Sequence, residues 1–446
     1  MKLVVFEDES WVHFTPLVYT RPVFALRCGA FTALERLKTV AQTLTRHHPL
    51  PINAICRPYL MSCYGHPEGA GAFLRDSEPL VLVNGRAMTL EWLPDLLDAP
   101  TGTVYATPQG ELLGAHLSPS LASAILYYIS EQNAQDALEE LHRFAHVQEV
   151  ETTLLNYLWD LIAQSGEQVV RDLPLLQPRI PRWEPQHAFI TLRGGEHIYV
   201  APTAELDGPL VLDSRDGPIF IDERAHIEPF SFIQGPAYIG QGTLISSALI
   251  RGETSIGPVC RIGGEVEASI IQAYTNKHHE GFLGHSWLGE WVNIGAMTTN
   301  SDLKNTYGNI RVTIDGVGTL DSGELKLGAF LADHVKLGIG MHLTGGSIIG
   351  VGSSIYGIHM IPKNVPPFTW GGEVFHEYRI ESMINVSQKV MSRRKLVMSP
   401  EYETMLRAVF AITRENRNGL QGVLPTSQPT KPDVEKGLLS FPVLKQ

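Results

Sequence analysis

At 446 residues the chain is too long for one compact core and implies two or three domains. A net charge of −12 with only 18% charged residues argues against a nucleic-acid binder, which carries basic patches, and leaves room for a small anionic substrate held by a few local cations. Cys28, Cys56, Cys63 and Cys260 form no CxxC pair and read as reduced thiols. No apolar run is long enough to span a bilayer, so a cytoplasmic location is expected, with neither a membrane nor a nucleic-acid partner.

Residues 1–180 read as a mixed α/β domain. Leu3–Phe6 is an expected strand, and Ala30–Leu44 an expected helix with Phe31, Leu34, Leu37, Val40 and Leu44 on one side. Leu80–Val83 is a second buried strand and Val104–Ala106 a third. Helices are expected over Ser120–Ile129 and Ala134–Phe144, and Leu158–Ala163 should begin the exit from the domain. Pro174, Pro178, Pro181 and Pro185 mark a stiff linker. Ligands of open α/β sheets lie beyond the carboxyl ends of strands, which singles out Asn84, Gly85 and Arg86, although Asn-Gly is equally a plain turn signal.

From Ile221 the sequence repeats every six residues. Ile221, Ile227, Ile233, Ile239 and Ile245 form one run, Ile250, Ile256 and Ile262 a second, and Leu325, Leu331, Leu337, Leu343, Ile349, Ile355 and Ile361 a third. A helix would repeat at three or four and a simple strand at two. Three six-residue faces closing one coil explain the period: each aliphatic residue points inward and stacks on its counterpart a coil away, and no coil is stable alone. Residues 190–370 are therefore expected to form a left-handed parallel β-helix. Residues 264–324 should break its register with a polar stretch suited to a site.

Residues 371–446 should leave the solenoid. Met383, Ile384, Val390 and Met391 suggest one amphipathic helix, and Ser399-Pro400 caps a second carrying Met405, Leu406, Val409 and Phe410. Beyond Gly419 a mobile tail is expected. The run Arg393-Arg394-Lys395 is either a solvated helix end or a contact for a phosphate-bearing ligand or acidic partner surface.

Two segments carry a family resemblance. Asn276–Asn300, NKHHEGFLGHSWLGEWVNIGAMTTN, has the core H-x-x-F-L-G…N-I-G-A-x-T, and Leu17–Leu37, LVYTRPVFALRCGAFTALERL, forms a second motif. The chain resembles the bifunctional N-acetylglucosamine-1-phosphate uridylyltransferase/glucosamine-1-phosphate acetyltransferases, in a divergent GlmU-like branch of sugar nucleotidyltransferases. The resemblance implies a nucleotidyltransferase-like α/β domain joined to a trimeric acyltransferase β-helix, with acetyl-CoA in a groove between subunits. It places the catalytic base at His279, a sugar-contacting amide at Asn293 and a substrate carboxylate at Glu265. His278 falls on a family glycine, and His285 is a supporting or surface residue.

Departures bear on the substrate. Glu267 stands where the family has a phosphate-contacting lysine, Phe282 where it has a tyrosine and Asp302 where it has an asparagine; Lys277 or Lys304 could restore the lost cation. The glycine-rich nucleotide loop is replaced by Tyr19-Thr20-Arg21-Pro22 and Leu26-Arg27-Cys28-Gly29, whose Arg21 and Arg27 can be phosphate ligands or equally structural or surface residues. The expected Mg²⁺-binding aspartate is matched by Asn84, with Asp160 and Asp172 as later carboxylates. The expected function is acetyl-CoA-dependent N-acetylation of an amino-sugar phosphate, with nucleotidyl transfer from a nucleotide triphosphate to a sugar 1-phosphate if the first domain is active. The alternatives are nucleotidyl transfer alone, with the β-helix as an oligomerisation platform, and a non-catalytic nucleotide-sugar-binding or scaffold protein.

Overall fold

A computed structural model describes residues 1–44, 50–65, 78–184 and 189–420. Pro185 and the tail beyond Leu420 lie outside the described residues.

The N-terminal part is built on a six-stranded sheet in the order Ile52–Ile55, Lys2–Phe6, Leu80–Asn84, Leu112–Leu117, Thr103–Ala106, His146–Glu149. The first three strands are parallel and Leu112–Leu117 runs against both of its neighbours. The expected strands and helices form close to their expected bounds, with Pro119–Ser130 and Ala134–Phe144 covering one sheet face. Two expectations change. Phe31–Thr32 pairs with Arg27–Cys28 as a small hairpin, so the helix starts at Ala33. Leu158–Ala163 opens onto a full helix, Asp160–Arg171, whose Leu161 carbonyl accepts from the Cys28 thiol.

The solenoid follows from the six-residue rule. A nine-stranded parallel sheet from Ile198–Val200 to Asn364–Val365 makes one face, and parallel strands from Ile190–Arg193 to Thr369–Gly371 wrap the others. Ile227 pairs with Ile245 and Ile245 with Ile262, while Leu337 pairs with Ile355, so like residues stack coil on coil. These aliphatics form one buried core. Leu325 is an exception, 51% exposed, and the third run begins at Leu331.

The expected break over residues 264–324 is much shorter. Coils continue through Asn276–Lys277, Phe282–Gly284, Trp287–Glu290 and Asn293–Ile294 in unbroken parallel register. The period is hidden because polar residues occupy inward positions. Lys277 follows Ile262 in the stack, and Asn300 pairs with Leu343. Asn300 is tolerated because its amide both accepts from the Gly284 N–H and donates to the Gly284 carbonyl, at 2.9 Å each. The true excursion runs from Ser301 to Leu327 and carries the antiparallel hairpin Arg311–Ile314/Gly318–Asp321.

The nine-stranded face is apolar on both sides. Inward-pointing Ile256, Ile271, Leu288 and Leu331 fill the coil, while Ile270, Trp287, Phe330 and Ile348 point outward. That outer side packs on Phe14, Leu17, Val18, Val23 and Leu26 from the N-terminal part. A sheet buried on both faces needs apolar residues at successive positions, and this one has them. The helices Ile380–Ser392 and Pro400–Ile412 close the other flank, the second capped as expected by Ser399, whose hydroxyl accepts from the Tyr402 N–H.

Candidate functional site

Two places follow from the sequence: the crevice beyond the N-terminal strands, and the solenoid coil bearing the histidines.

At the ends of Lys2–Phe6 and Leu80–Asn84 the chain packs on itself, and a cavity of about 1090 Å³ opens farther out, lined by Met88, Thr89, Glu111 and Asn156 among others. Beyond Phe6, Glu7 pairs with Arg57 at 2.9 Å, and Asp8 with Arg86 at 2.7 Å. A β-carbon on Gly85 would stand 2.8 Å from the Phe6 carbonyl and 2.9 Å from Phe24, so glycine is required for Phe24 to seat there. Asn84 is buried; its amide donates to Asp8 (2.9 Å) and to the Leu112 carbonyl (2.8 Å), and its oxygen accepts from the Arg86 N–H. No lone pair of Asn84 faces an open site, against the expectation of a nucleotide or metal contact.

Arg21 and Arg27 are likewise structural rather than open phosphate ligands. Both are buried and both reach into the β-helix: Arg21 to Asp333 (2.5 Å) and Glu290 (3.2 Å), Arg27 through its backbone N–H to the Gln272 side chain (2.9 Å). The expected metal carboxylates do not fit a shared ion. Asp160 and Asp172 lie twelve residues apart at opposite ends of one helix, about 18 Å by helical rise. Asp172 is buried and bound to Arg36 at 2.8 Å and to the Ala30 N–H, while Asp160 accepts from the Asn156 and Tyr157 N–H groups. No cluster of three or more His, Cys, Asp or Glu side chains suited to a metal occurs among the described residues.

On the solenoid, His278 and His279 sit on the corner between Asn276–Lys277 and Phe282–Gly284. Glycines make room for it. A β-carbon on Gly263 would stand 2.0 Å from the His278 carbonyl, one on Gly264 3.0 Å from that of His279, and one on Gly281 2.2 Å from that of Thr298. His279 is exposed and His278 half-buried, their rings edge to face at 5.1 Å. The same corner continues in neighbouring coils, where the Met297 N–H donates to the Glu280 carbonyl and the Gly340 N–H to that of Ala296. Met297 (63% exposed) and Ile339 (79%) therefore make an open apolar ridge beside His279.

Lys277 does not face this corner's solvent. It is an inward residue, and its ammonium donates to the carbonyls of Gly263 (2.6 Å) and His279 (2.8 Å). Burial lowers its pKa to about 8. Lys277 thus braces the His279 backbone and cannot contact a substrate from the coil interior. Lys304 lies on the excursion, donating to the Asn309 carbonyl. Glu265 stands on the adjoining face and pairs with Arg251 at 3.2 Å. The family departures are matched by local partners: Glu267 faces Lys326 at 3.4 Å, and His285 meets Asp302 at 2.8 Å, which holds that carboxyl below its usual range.

Asn293 belongs to an outward column, Arg261, Asn276, Asn293 and Lys336, each residue just before an inward one. Asn276 donates to Asn293 at 2.9 Å. With helix Ile380–Ser392 and the residues after it, this column walls a cavity of about 570 Å³ that also contains His278, Arg393 and Arg394. Asn293 and the arginine run were candidates from the sequence, whereas Arg261 and Lys336 were not. The six-residue register already aligned them, since each directly precedes an aliphatic stack position.

The class defined by this architecture is a nucleotidyltransferase-like α/β sheet fused to a hexapeptide-repeat β-helix. Residues 3–180 match the family described as sugar nucleotidyl transferase. Parts of the chain are similar to GlmU-type bifunctional proteins. The chain is 33% identical over 152 residues to a bifunctional sugar-1-phosphate nucleotidylyltransferase/acetyltransferase of Sulfurisphaera tokodaii, covering 33% of this chain and 38% of that protein. It is 28% identical over 221 residues to the bifunctional protein GlmU of Synechococcus elongatus, covering 45% and 44%. The chain thus spans less than half the length of these curated relatives. Among solved structures, the Arabidopsis UDP-N-acetylglucosamine acyltransferase aligns at 11% identity over 54% of this chain and 99% of its own, with a TM-score of 0.23, too loose a match to bear on the site.

Proposed function

We propose that this protein is a sugar-directed transferase whose β-helix acylates the amine of an amino-sugar phosphate at the His279 corner. The observation that carries this reading is the presentation of His279: an exposed imidazole on a glycine-cleared corner, braced from inside by Lys277, beside the apolar ridge of Met297 and Ile339. The acyl donor is a CoA thioester, acetyl-CoA in the first instance, which supplies an activated carbonyl. A neutral imidazole takes the proton of the attacking amine, and the ridge offers an apolar bed for the donor's arm. Asn293 and Glu265 are assigned to sugar hydroxyls. Acetyltransferase activity in the Sulfurisphaera relative supports the reading.

Nucleotidyl transfer to a sugar 1-phosphate, with Mg²⁺, is assigned to the N-terminal part on the strength of its family match. No metal-mediated step is assigned to Asp160 or Asp172. A homotrimer and a cytoplasmic location complete the proposal; among the described residues no helix is long and apolar enough to cross a membrane.

The test is thiol release from acetyl-CoA across a panel of amino-sugar phosphates, beside pyrophosphate release from nucleotide triphosphates and sugar 1-phosphates. Silence across the first panel removes the acyltransferase reading, and silence across the second removes nucleotidyl transfer. Light scattering that returned a monomer would remove the trimer.

A further inference from the structure

The cavity between the Arg261–Lys336 column and helix Ile380–Ser392 gathers cations without counter-charge. Arg261, Lys336, Arg393 and Arg394 all line it, and no Asp or Glu does. Arg261 donates to the carbonyls of Gly242 and Cys260, and Lys336 to that of Trp291. Among the described residues none of the four has a carboxylate within ion-pairing distance; Arg261, Lys336 and Arg394 are half-buried and Arg393 is exposed, whereas the buried Arg21, Arg36, Arg57 and Arg86 each have an acidic partner.

Like charges in a partly enclosed space repel through a reduced dielectric, so such a grouping persists where an anion neutralises it. Two further atoms point the same way. Nδ1 of His278 and Nε of Arg394 are buried with no hydrogen-bond partner in the protein, and both residues line this cavity. Buried polar atoms are almost always satisfied, and an anion's oxygens would satisfy these. Burial drives the Lys336 ammonium down to about 7, and crowding by Arg261 and Arg393 adds to burial in lowering Arg394. The Lys336 shift is a burial effect that Asp333 partly offsets, whereas that of Arg394 also records its cationic neighbours.

The cavity also offers more than charge. Tyr274 and Trp291 stack at 4.4 Å with ring planes 6° apart, and both line it. Trp291 is buried beneath, so the half-buried Tyr274 provides the accessible edge of an aromatic wall. About 570 Å³ is within the size range of small-molecule sites and exceeds what a single inorganic ion needs.

We propose that this cavity binds the phosphate groups of a phosphorylated small molecule, with Arg261, Lys336, Arg393 and Arg394 as cationic ligands and His278 as a hydrogen-bonding partner. The arginine run after helix Ile380–Ser392 is then a ligand clamp and not a solvated helix end. The inference rests on the charge of the cavity; it shares Asn293 with the proposed acyl-acceptor site but does not require His279 to act as a base. A diphosphate ester of the required chemistry occurs in nucleotide sugars and in coenzyme A.

Isothermal titration of the full chain with inorganic pyrophosphate, UDP-N-acetylglucosamine and coenzyme A tests the site without turnover. Pyrophosphate is expected to bind the unaltered protein, and its affinity is expected to fall at least tenfold in Arg393→Gln/Arg394→Gln and in Arg261→Gln, with unchanged urea midpoints excluding misfolding. The larger ligand that binds more tightly than pyrophosphate and loses that gain in the variants identifies the source; equal affinity for all three assigns the phosphates alone. Absence of pyrophosphate binding, or equal affinity in parent and variants, overturns the proposal. Because no acyl acceptor is present, failure here is separate from failure of the thiol-release assay.

Discussion

Arg21 donates to Asp333 at 2.5 Å across 312 positions of sequence, and both side chains are buried. Thr20 donates to the same carboxylate at 2.6 Å, and Arg21 also reaches Glu290 at 3.2 Å. The pair fastens the segment around Tyr19–Pro22 onto the β-helix. Removing one partner of a buried ion pair leaves the other charged and unsatisfied, so R21A is expected to lower the unfolding free energy by about 3–5 kcal/mol. Urea denaturation measures it, and a loss under 1 kcal/mol would mean that Arg21 is solvated.

The stack position of Lys277 carries a pH signature. Its pKa falls from 10.5 unfolded to about 8 folded, because burial penalises the charged form. Between these values the unfolded chain holds more protons, so stability rises with pH. Relative to K277M, the parent is expected to gain up to about 3 kcal/mol between pH 8 and pH 10.5. Denaturation curves of both proteins at several pH values check this; a flat difference would place the ammonium in water.

His279 is exposed, so H279A should change stability by no more than about 0.5 kcal/mol. Loss of a general base should cut thiol release about 10²- to 10⁴-fold. H278A retains the base, and a smaller loss is expected. Full turnover in H279A would reject its assignment.

Leucines six residues apart should behave differently. Leu331 is fully buried in the coil and Leu325 is 51% exposed. L331A is expected to cost about 2–5 kcal/mol. L325A should stay within about 0.5 kcal/mol. Thermal melts of the two variants suffice, and equal losses would contradict the register.

Much of the solenoid was legible because its rule is local: an aliphatic residue every sixth place, with a chain reversal between. The same rule concealed Lys277 and Asn300, since a polar residue in a stack position looks like a break until its carbonyl partners are known. The N-terminal charges were harder still. Arg21 and Arg27 read equally as phosphate-binding, structural or surface cations, yet the partners that bury them lie at Asp333 and Gln272. Pairings over such separations leave no mark in composition or periodicity. The basic cavity stood between these cases: its register was readable, and the helix that closes it was not placed by any pattern in the chain.

The outer side of the nine-stranded face, with Trp287 and Phe330 laid against Phe14 and Leu17, bears on how this polypeptide can be divided. A fragment beginning near the first coil would present that wall to water and should self-associate, whereas a fragment ending near Arg171 would leave Arg21 without its acid. Neither half is a transplantable module.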